Sequence, residues 1–164
     1  MYLTRLIALL GALFLFGGCA SFSPKSIGAE PQAVTLAWSG PVSVVPIMTG
    51  NGMSDVYAPM KMIPIDLNDY SGSLAELVRL SIEKAGGATG GEERTIAVQV
   101  TYLDFLFQGP CLLDYRVVLG DEPPFGNQAT GQNKNLKRAC RAAFESAVSQ
   151  IVGHPRTVQY LGGS

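Results

Sequence analysis

An apolar run that is too short to cross a bilayer and ends at a cysteine constrains this chain more than any other feature. Arg5 precedes the run from Leu6 to Phe16, and Gly17-Gly18-Cys19 follow directly. A positive residue, a short apolar stretch and small residues before a cleavage point are typical of an export signal. An uncleaved membrane anchor is the alternative, but a spanning helix needs about 20 apolar residues. We therefore expect the rest of the chain to fold outside the cytosol.

The residues at the end of this run, Phe16-Gly17-Gly18-Cys19, resemble the lipobox of bacterial lipoproteins. The resemblance implies that diacylglycerol is attached to the Cys19 thiol, that residues 1–18 are removed as a signal peptide, and that the new amino terminus is acylated. Ala20 after the lipidated cysteine implies the outer membrane, with the domain facing the periplasm. Residues 19–32 have no apolar periodicity, so we predict a lipidated tether there and a single α+β domain over residues 33–164.

The charge balance argues against a nucleic-acid partner. The sequence has 12 basic and 13 acidic residues, and removing residues 1–18 takes away only Arg5. Nucleic-acid binding depends on clustered lysine and arginine, and the one enrichment is a basic cluster in a predicted helix: Lys134, Lys137, Arg138 and Arg141. We interpret this cluster as a solvated helix face, with an anionic lipid or partner contact as the alternative. The expected partners are the membrane, through the lipid anchor, and an envelope protein.

Two cysteines remain once Cys19 is assigned to lipid. In an oxidising compartment we expect Cys111 and Cys140 to form a disulfide, with two separate buried thiols as the alternative. Metal binding is weakly supported, because no two cysteines are closely spaced and His154 is the only histidine. We therefore predict no metal and no cofactor.

Alternating apolar residues predict an antiparallel hairpin over residues 95–119. In its first strand the even-numbered residues from Ile96 to Tyr102 share one face, and Leu103 lies on the other. Residues 108–110, Gln-Gly-Pro, make the turn into a second strand from Cys111 to Leu119. Residues 128–131 are a weaker strand candidate.

Two helices are predicted from apolar residues at helical spacing. Ser73 and Glu76 form a capping-box pattern at the start of the first helix. The second runs from about Leu136 to Val152, where Gly153 and Pro155 stop it. Strands, helix, hairpin and helix in this order predict an α+β fold, a two-layer sandwich in which two helices pack on one face of a mainly antiparallel sheet.

This layout resembles the ABC-type transport auxiliary lipoproteins and similar small bacterial envelope lipoproteins. The resemblance covers the lipidated Cys19, a helix at Leu74–Ala85, paired strands at Ile96–Phe107 and Leu112–Leu119, and a helix at Leu136–Val152. It implies a sheet-and-helix domain that is tethered to a membrane and serves an envelope complex.

The residues suited to catalysis form no recognisable catalytic pattern, and we predict that the protein is not an enzyme. His154 follows a helix end, and no Gly-x-Ser-x-Gly elbow accompanies it. The glycine runs at residues 49–52 and 86–91 lack the lysine and the setting of a phosphate-binding loop. We interpret the aspartates as structural, since the sequence places no pair on a common concave surface: Asp55, Asp66, Asp69, Asp104 and Asp114.

Four methionines ahead of the first predicted helix are the remaining unusual residues: Met48, Met53, Met60 and Met62. Thioether sulfur binds copper(I), but methionine also fills apolar gaps and adaptable binding surfaces, and we favour core or interface packing.

The sequence therefore predicts a non-enzymatic interaction or auxiliary component of an envelope assembly, transport or maintenance complex. The alternative is a lipoprotein that binds a lipid or another small ligand. A half-covered sheet leaves room for either function. A deep apolar pocket would favour ligand binding, and a flat apolar patch or an exposed strand edge would favour protein association.

Overall fold

The structure, a computed structural model, describes residues 24–35, 40–58, 61–91, 94–105 and 109–162. The predicted lipidation site Cys19 and the side chain of Met60 lie outside these ranges. Within them the chain forms four helices and seven strands, in this order: α1 (Pro24–Ile27), β1 (Pro41–Pro46), β2 (Met53–Ala58), β3 (Lys61–Asp66), α2 (Leu67–Lys84), β4 (Ala88–Thr89), β5 (Thr95–Phe105), β6 (Pro110–Leu119), β7 (Phe125–Gln132), α3 (Leu136–Val152) and α4 (Pro155–Gly162).

The main sheet has five strands in the order β4-β1-β5-β6-β7 and is mixed, not mainly antiparallel. β6 pairs antiparallel with both β5 and β7, which confirms the predicted hairpin and the weaker strand candidate. β1, however, pairs parallel with β4 and β5. The prediction was wrong here because α2 lies between β1 and β5 in the chain, and a helical crossover returns the chain in the same direction. β2 and β3 form a separate antiparallel hairpin that contacts β5.

A β-bulge in β5 corrects the predicted alternation of that strand. Val100 lies opposite Tyr115 and Tyr102 lies opposite Asp114, so Thr101 is an extra residue without a counterpart on β6. Side chains change faces beyond it: Tyr102 is 44% exposed, whereas Leu103 is 1% exposed. Strict alternation of side chains had placed Tyr102 on the same face as Ile96 and Leu103 on the opposite face.

Helix α2 begins at Leu67 and not after Ser73, so the capping-box prediction was wrong. Asp66 is the N-cap residue, and its carboxylate accepts the Asn68 N–H at 2.9 Å. The first turn is held by burial of Tyr70, which is 1% exposed. Polar residues beside Tyr70 interrupt the apolar stripe, so the spacing of apolar residues did not indicate that the helix includes this turn.

The long helices α2 and α3 form a layer on one face of the sheet. α2 lies on β1 and β5, and α3, which has the predicted bounds, lies on β6 and β7. Tyr70 and Phe144 join the two helices, with ring centroids 6.1 Å apart. Gly131 of β7 allows α3 to approach closely, because a Cβ there would lie within 3.0 Å of the Ala139 oxygen and the Ala143 nitrogen.

The predicted disulfide joins the sheet to this helix layer. Cys111 of β6 and Cys140 of α3 are bonded, with their Cα atoms 5.0 Å apart and both residues fully buried. The bond fixes α3 to the start of β6, where Cys111 lies opposite Phe105 at the end of β5.

Residues 24–32, which we predicted as part of a tether, pack on the helix layer. Ile27 of α1 is 2% exposed, and the Gln32 N–H donates to the Ser81 hydroxyl at 2.9 Å. Glu30 also forms an ion pair with Arg141 of α3. The amino-terminal part of the described chain therefore lies on the helix side of the domain.

Helix α4 was not predicted. Pro155 was interpreted as a stop signal, but proline is also favourable at the first position of a helix, and α4 begins there. The Tyr160 hydroxyl accepts the Thr95 N–H at 3.0 Å, and Arg94 donates to the Leu161 carbonyl at 2.6 Å. These bonds attach α4 to the start of β5.

Candidate functional site

The sheet face opposite to the helix layer is the candidate functional site, and we call it the open face. Its side chains are half-buried or exposed, in contrast to the buried side chains that face α2 and α3. In strand order they are Val45; Ala97, Gln99, Tyr102 and Asp104; Leu112, Asp114, Arg116 and Val118; and Gly126, Gln128, Thr130 and Gln132.

An apolar row crosses three strands at one end of the open face. Val45 lies opposite Ala97, and Ala97 lies opposite Val118. Val45 is 37% exposed, so this end of the sheet presents aliphatic surface to solvent. A short row of this kind is accessible aliphatic surface and not part of the core.

Polar rows lie beside the apolar row. The strand register aligns Gln99 with Arg116 and then Gly126. It aligns Tyr102 with Asp114 and then Gln128, whose amide donates to the Asp114 carboxylate at 2.8 Å. The bulge at Thr101 is what brings Tyr102 into this row.

The electrostatics of the polar rows centre on Tyr102. Its hydroxyl donates to the Asp104 carboxylate at 3.1 Å. This hydrogen bond, together with partial burial and the charges of Asp104 and Asp114, raises the pKa of Tyr102. Two carboxylates therefore accept hydrogen bonds on the same surface that carries the Arg116 cation. An apolar area bordered by such groups has the composition of a protein interface.

A groove on the helix side is a second candidate. It has a volume of about 450 Å³ and lies between α1 and the first turns of α2. Leu77, Phe144 and the exposed Met48 supply apolar walls, and Asp69 and Glu76 place carboxyl groups at its border. Sequence reasoning missed this groove because its walls come from distant parts of the chain.

His154 has a packing role. Its imidazole stacks on the Phe125 ring with centroids 4.1 Å apart, and Nδ1 accepts the Arg156 N–H at 3.3 Å. Arg156 also lies over the Phe125 ring, 5.2 Å from its centroid. This stack holds the turn between α3 and α4 against the start of β7.

The glycine run at residues 49–52 is used to cap α2. Thr49 donates its N–H to the Asn68 side chain at 2.9 Å, and the Gly52 carbonyl accepts the Leu67 N–H at 2.7 Å. A Cβ on Gly52 would overlap the Asp66 carboxylate and the Asn68 amide, so a larger residue here would displace the side chains that cap α2. The helix start is thus covered by its own loop. In the second run, Gly86 has a φ of 87° and closes α2.

The predicted aspartates are dispersed over the described surface. Asp66 caps α2, Asp69 borders the groove, and Asp55 lies on the hairpin, while Asp104 and Asp114 come together on the open face. No group of three histidine, cysteine or acidic side chains suited to a metal ion occurs among the described residues.

Three methionines lie on the surface, so a core role is wrong for them. Met48, Met53 and Met62 are 63%, 60% and 50% exposed. The strand register places Met53 and Met62 on the same side of the β2–β3 hairpin. Since both are exposed, this side faces solvent. Interface packing is the part of the methionine prediction that fits these positions.

The basic cluster lies at and just before the start of α3, since Lys134 precedes the first residue of the helix, Leu136. Arg141 pairs with Glu30 and, at 3.0 Å, with Glu145, whereas Lys134, Lys137 and Arg138 are exposed. These contacts with two carboxylates raise the pKa of Arg141. In the part of the chain that the structure describes, none of the helices has the length and apolar character needed to span a bilayer.

Fold and surface together define a small α/β domain with one helix-covered and one open sheet face. Similar solved structures include a Xanthomonas campestris protein assigned to family model DUF330, at 16% identity and a TM-score of 0.46; the match covers 82% of this chain and 88% of that chain. A second, described only as an uncharacterized protein, has 14% identity and a TM-score of 0.44, and covers 79% of this chain and 97% of that chain. No family model and no curated protein matches the chain.

Proposed function

We propose that this protein is a membrane-anchored periplasmic lipoprotein that acts as a non-enzymatic interaction component of an envelope assembly, transport or maintenance complex. This is the role implied by its resemblance to the ABC-type transport auxiliary lipoproteins. The open face is the observation that supports it most. Its apolar row, Val45, Ala97 and Val118, lies beside rows that carry two carboxylates and an arginine. Such a surface suits a protein partner, because an apolar area flanked by polar and charged groups is typical of protein interfaces.

The course of the chain supports an anchor and an open face on opposite sides of the domain. Residues 24–32 pack on the helix layer, and Cys19 precedes Pro24 by five residues. Five residues span at most about 18 Å. A lipid on Cys19 therefore keeps the helix layer near the membrane and leaves the open face accessible to a partner.

The disulfide supports the proposed compartment. Bonds such as Cys111–Cys140 persist in oxidising environments, including the bacterial periplasm, and are rare in the cytosol.

Lipid labelling of Cys19→Ala tests the anchor. We expect the variant to incorporate no labelled fatty acid and to accumulate as a precursor or away from the membrane, whereas Ser21→Ala serves as the matched control and is labelled normally. Undiminished labelling of Cys19→Ala would overturn the lipoprotein assignment. Recovery of the wild-type protein in the inner membrane would overturn the outer-membrane assignment alone.

Photo-crosslinking in intact cells tests the open face. A photoreactive residue at Gln99 or Arg116 should yield a discrete adduct with an envelope protein. The same residue at Ser149, on the exposed side of α3, is the control and should yield none. Adducts from Ser149 alone, or none from the open face, would contradict the proposal.

The groove favours a second candidate function, the binding of a lipid or another apolar small ligand. It opens between α1 and α2, on the side of the domain from which the chain leads back to Cys19. Gly72 lies on its wall, and a Cβ added there meets nothing within 4 Å, so Gly72→Leu places a larger side chain at the groove without a clash at Cβ. Mass spectrometry of solvent extracts should then find a copurified lipid in the wild-type protein and in Ser149→Leu, but not in Gly72→Leu. Identical extracts from all three would reject ligand binding in this groove.

A further inference from the structure

Strand β7 has a free edge. It is the last strand in the order of the main sheet, and β6 is its only paired strand within the described ranges. Gln132 lies opposite Pro110, which has no N–H, and the Gln128 N–H donates to the Asn127 side chain at 2.9 Å. Since backbone groups alternate in direction along an antiparallel strand, the even-numbered residues of β7 turn their N–H and C=O groups to the free edge. These are Gly126, Gln128, Thr130 and Gln132.

This edge lacks the usual protection against strand addition. Natural edge strands are shortened, bulged, or marked by charged side chains or proline. β7 has eight residues, Phe-Gly-Asn-Gln-Ala-Thr-Gly-Gln, with neither charge nor proline, and pairs with β6 without a register shift. The strand at the other end of the sheet, β4, has only two residues. β7 is therefore the edge to which a further strand can add.

We propose that a second copy of this chain adds at this edge, so that two β7 strands pair antiparallel across a twofold axis. The register must place even-numbered residues opposite even-numbered ones, because only those face outward. With Ala129 on the axis, Gly126 of each copy meets Gln132 of the other, and Gln128 meets Thr130. All four outward-facing residues are then paired, once the Gln128 N–H exchanges its bond to the Asn127 side chain for one to the second copy. No charged side chain lies in the joint. The contact is isologous, as expected for a dimer with twofold symmetry.

Charge complementarity at the ends of β7 favours a second copy as the occupant. Asp121 before the strand and Lys134 and Lys137 after it are exposed, and none belongs to an ion pair of the described residues. Antiparallel pairing across the axis brings the acidic end of each copy beside the basic end of the other. The attraction therefore occurs twice in one dimer.

Helix α3 leaves room for this contact. Gln150 accepts a hydrogen bond from Asn127 of β7 at 3.1 Å and donates to Ser146 at 3.1 Å, so this side of α3 lies above the edge strand. Ala142 occupies the next turn of the same side. These three side chains are uncharged, and two of them are small, so two α3 helices can lie side by side above the joined sheets.

Thr130→Pro tests the backbone pairing. The change removes an outward N–H, and proline is tolerated on an edge strand at positions whose N–H faces solvent. The matched control, Thr130→Ala, keeps the N–H. In sedimentation velocity of the full-length protein in a mild detergent, wild type and Thr130→Ala should sediment as dimers and Thr130→Pro as a monomer. Far-ultraviolet circular dichroism and an intact Cys111–Cys140 bond establish that each variant is folded.

A charge exchange tests the register. Asp121→Lys alone and Lys137→Asp alone each place like charges together at both ends of the joint, and each should weaken dimerisation about tenfold. Combining the two should restore it, and added salt should weaken the wild-type dimer. The Asp121→Lys protein provides a test that does not depend on tolerance of proline, because its substitution is on an exposed residue.

The inference goes beyond the proposed function and does not depend on the lipid anchor or on the open face. A monomeric wild type would overturn it, as would a Thr130→Pro protein that remains dimeric. Single charge reversals without effect would also overturn it. None of these results alters the outcome of lipid labelling at Cys19 or crosslinking from the open face.

Discussion

Alanine in place of glycine should destabilise the protein at Gly131 and stabilise it at Gly72. At Gly131, in β7, a new Cβ would lie within 3.0 Å of the Ala139 oxygen and the Ala143 nitrogen, both backbone atoms of α3. At Gly72, in α2, the same Cβ meets nothing within 4 Å. The chemical change is identical, so any difference must come from the surroundings.

The cost at Gly131 follows from what has to move. Non-bonded carbon atoms pack best when they are about 3.5–4.0 Å apart. The backbone of α3 would therefore have to move away from β7 by more than about 1 Å. It cannot do so freely, because Cys140, next to Ala139, is bonded to Cys111 of β6. Overpacking of a well-packed contact costs about 1–3 kcal/mol, and we expect Gly131→Ala at the upper end, about 3 kcal/mol. Gly72→Ala should stabilise by about 0.5–1 kcal/mol, since alanine is the better helix former.

Urea unfolding of the oxidised protein, followed by circular dichroism, measures both effects. The midpoint should fall for Gly131→Ala and rise slightly for Gly72→Ala, with similar slopes, because the surface exposed on unfolding changes little. If Gly131→Ala unfolds at the wild-type midpoint, the close approach of α3 to β7 is refuted. If both variants are destabilised equally, the argument from local space is refuted.

Two further perturbations address the disulfide and a buried phenol. The cysteines of the Cys111–Cys140 bond are 29 residues apart. Replacing both by alanine should lower the free energy of unfolding by about 3–4 kcal/mol in the chain-entropy model. Peptide mapping of the wild type without reduction should recover the linked pair, and two freely alkylated thiols would contradict the bond. Burial raises the pKa of the Tyr115 phenol from 10.0 to about 12. As the pH rises, the unfolded chain loses this proton before the folded protein does. The contribution of Tyr115 to the free energy of unfolding is therefore retained below pH 10 and lost between about pH 10 and pH 12. Tyr115→Phe should reduce that alkaline loss by about 1.4 kcal/mol per pH unit, and an unchanged pH profile of urea midpoints would contradict the assignment.

The elements that sequence reasoning predicted well have strong local patterns. α3 has an uninterrupted apolar stripe that ends at Gly153, and the β5–β6 hairpin alternates buried and accessible side chains along most of both strands. The cysteine pair was predictable because assignment of Cys19 to lipid left only Cys111 and Cys140.

The errors arise where distant parts of the chain decide the structure. The parallel pairing of β1 depends on where α2 returns the chain, and the early start of α2 depends on Asp66 and on burial of Tyr70. For the candidate site, a half-covered sheet was expected, but the row of Tyr102, Asp114 and Gln128 was not, because it depends on the bulge at Thr101. The free edge of β7 could likewise be recognised only once the order of the strands in the sheet was known.

The parallel strand β1 also has a consequence for the order of folding. Residues 95–152 form β5, β6, β7 and α3, each packed on its neighbour in sequence, and such local contacts form rapidly. Among the described residues, β1 at Pro41–Pro46 pairs only with β4 and β5, about 50 residues further along the chain. During synthesis it therefore leaves the ribosome well before its partners do. A chain stalled after α2 would carry an unpaired Val-Ser-Val-Val strand, and we expect such nascent chains to be the stage at which the protein depends most on chaperones.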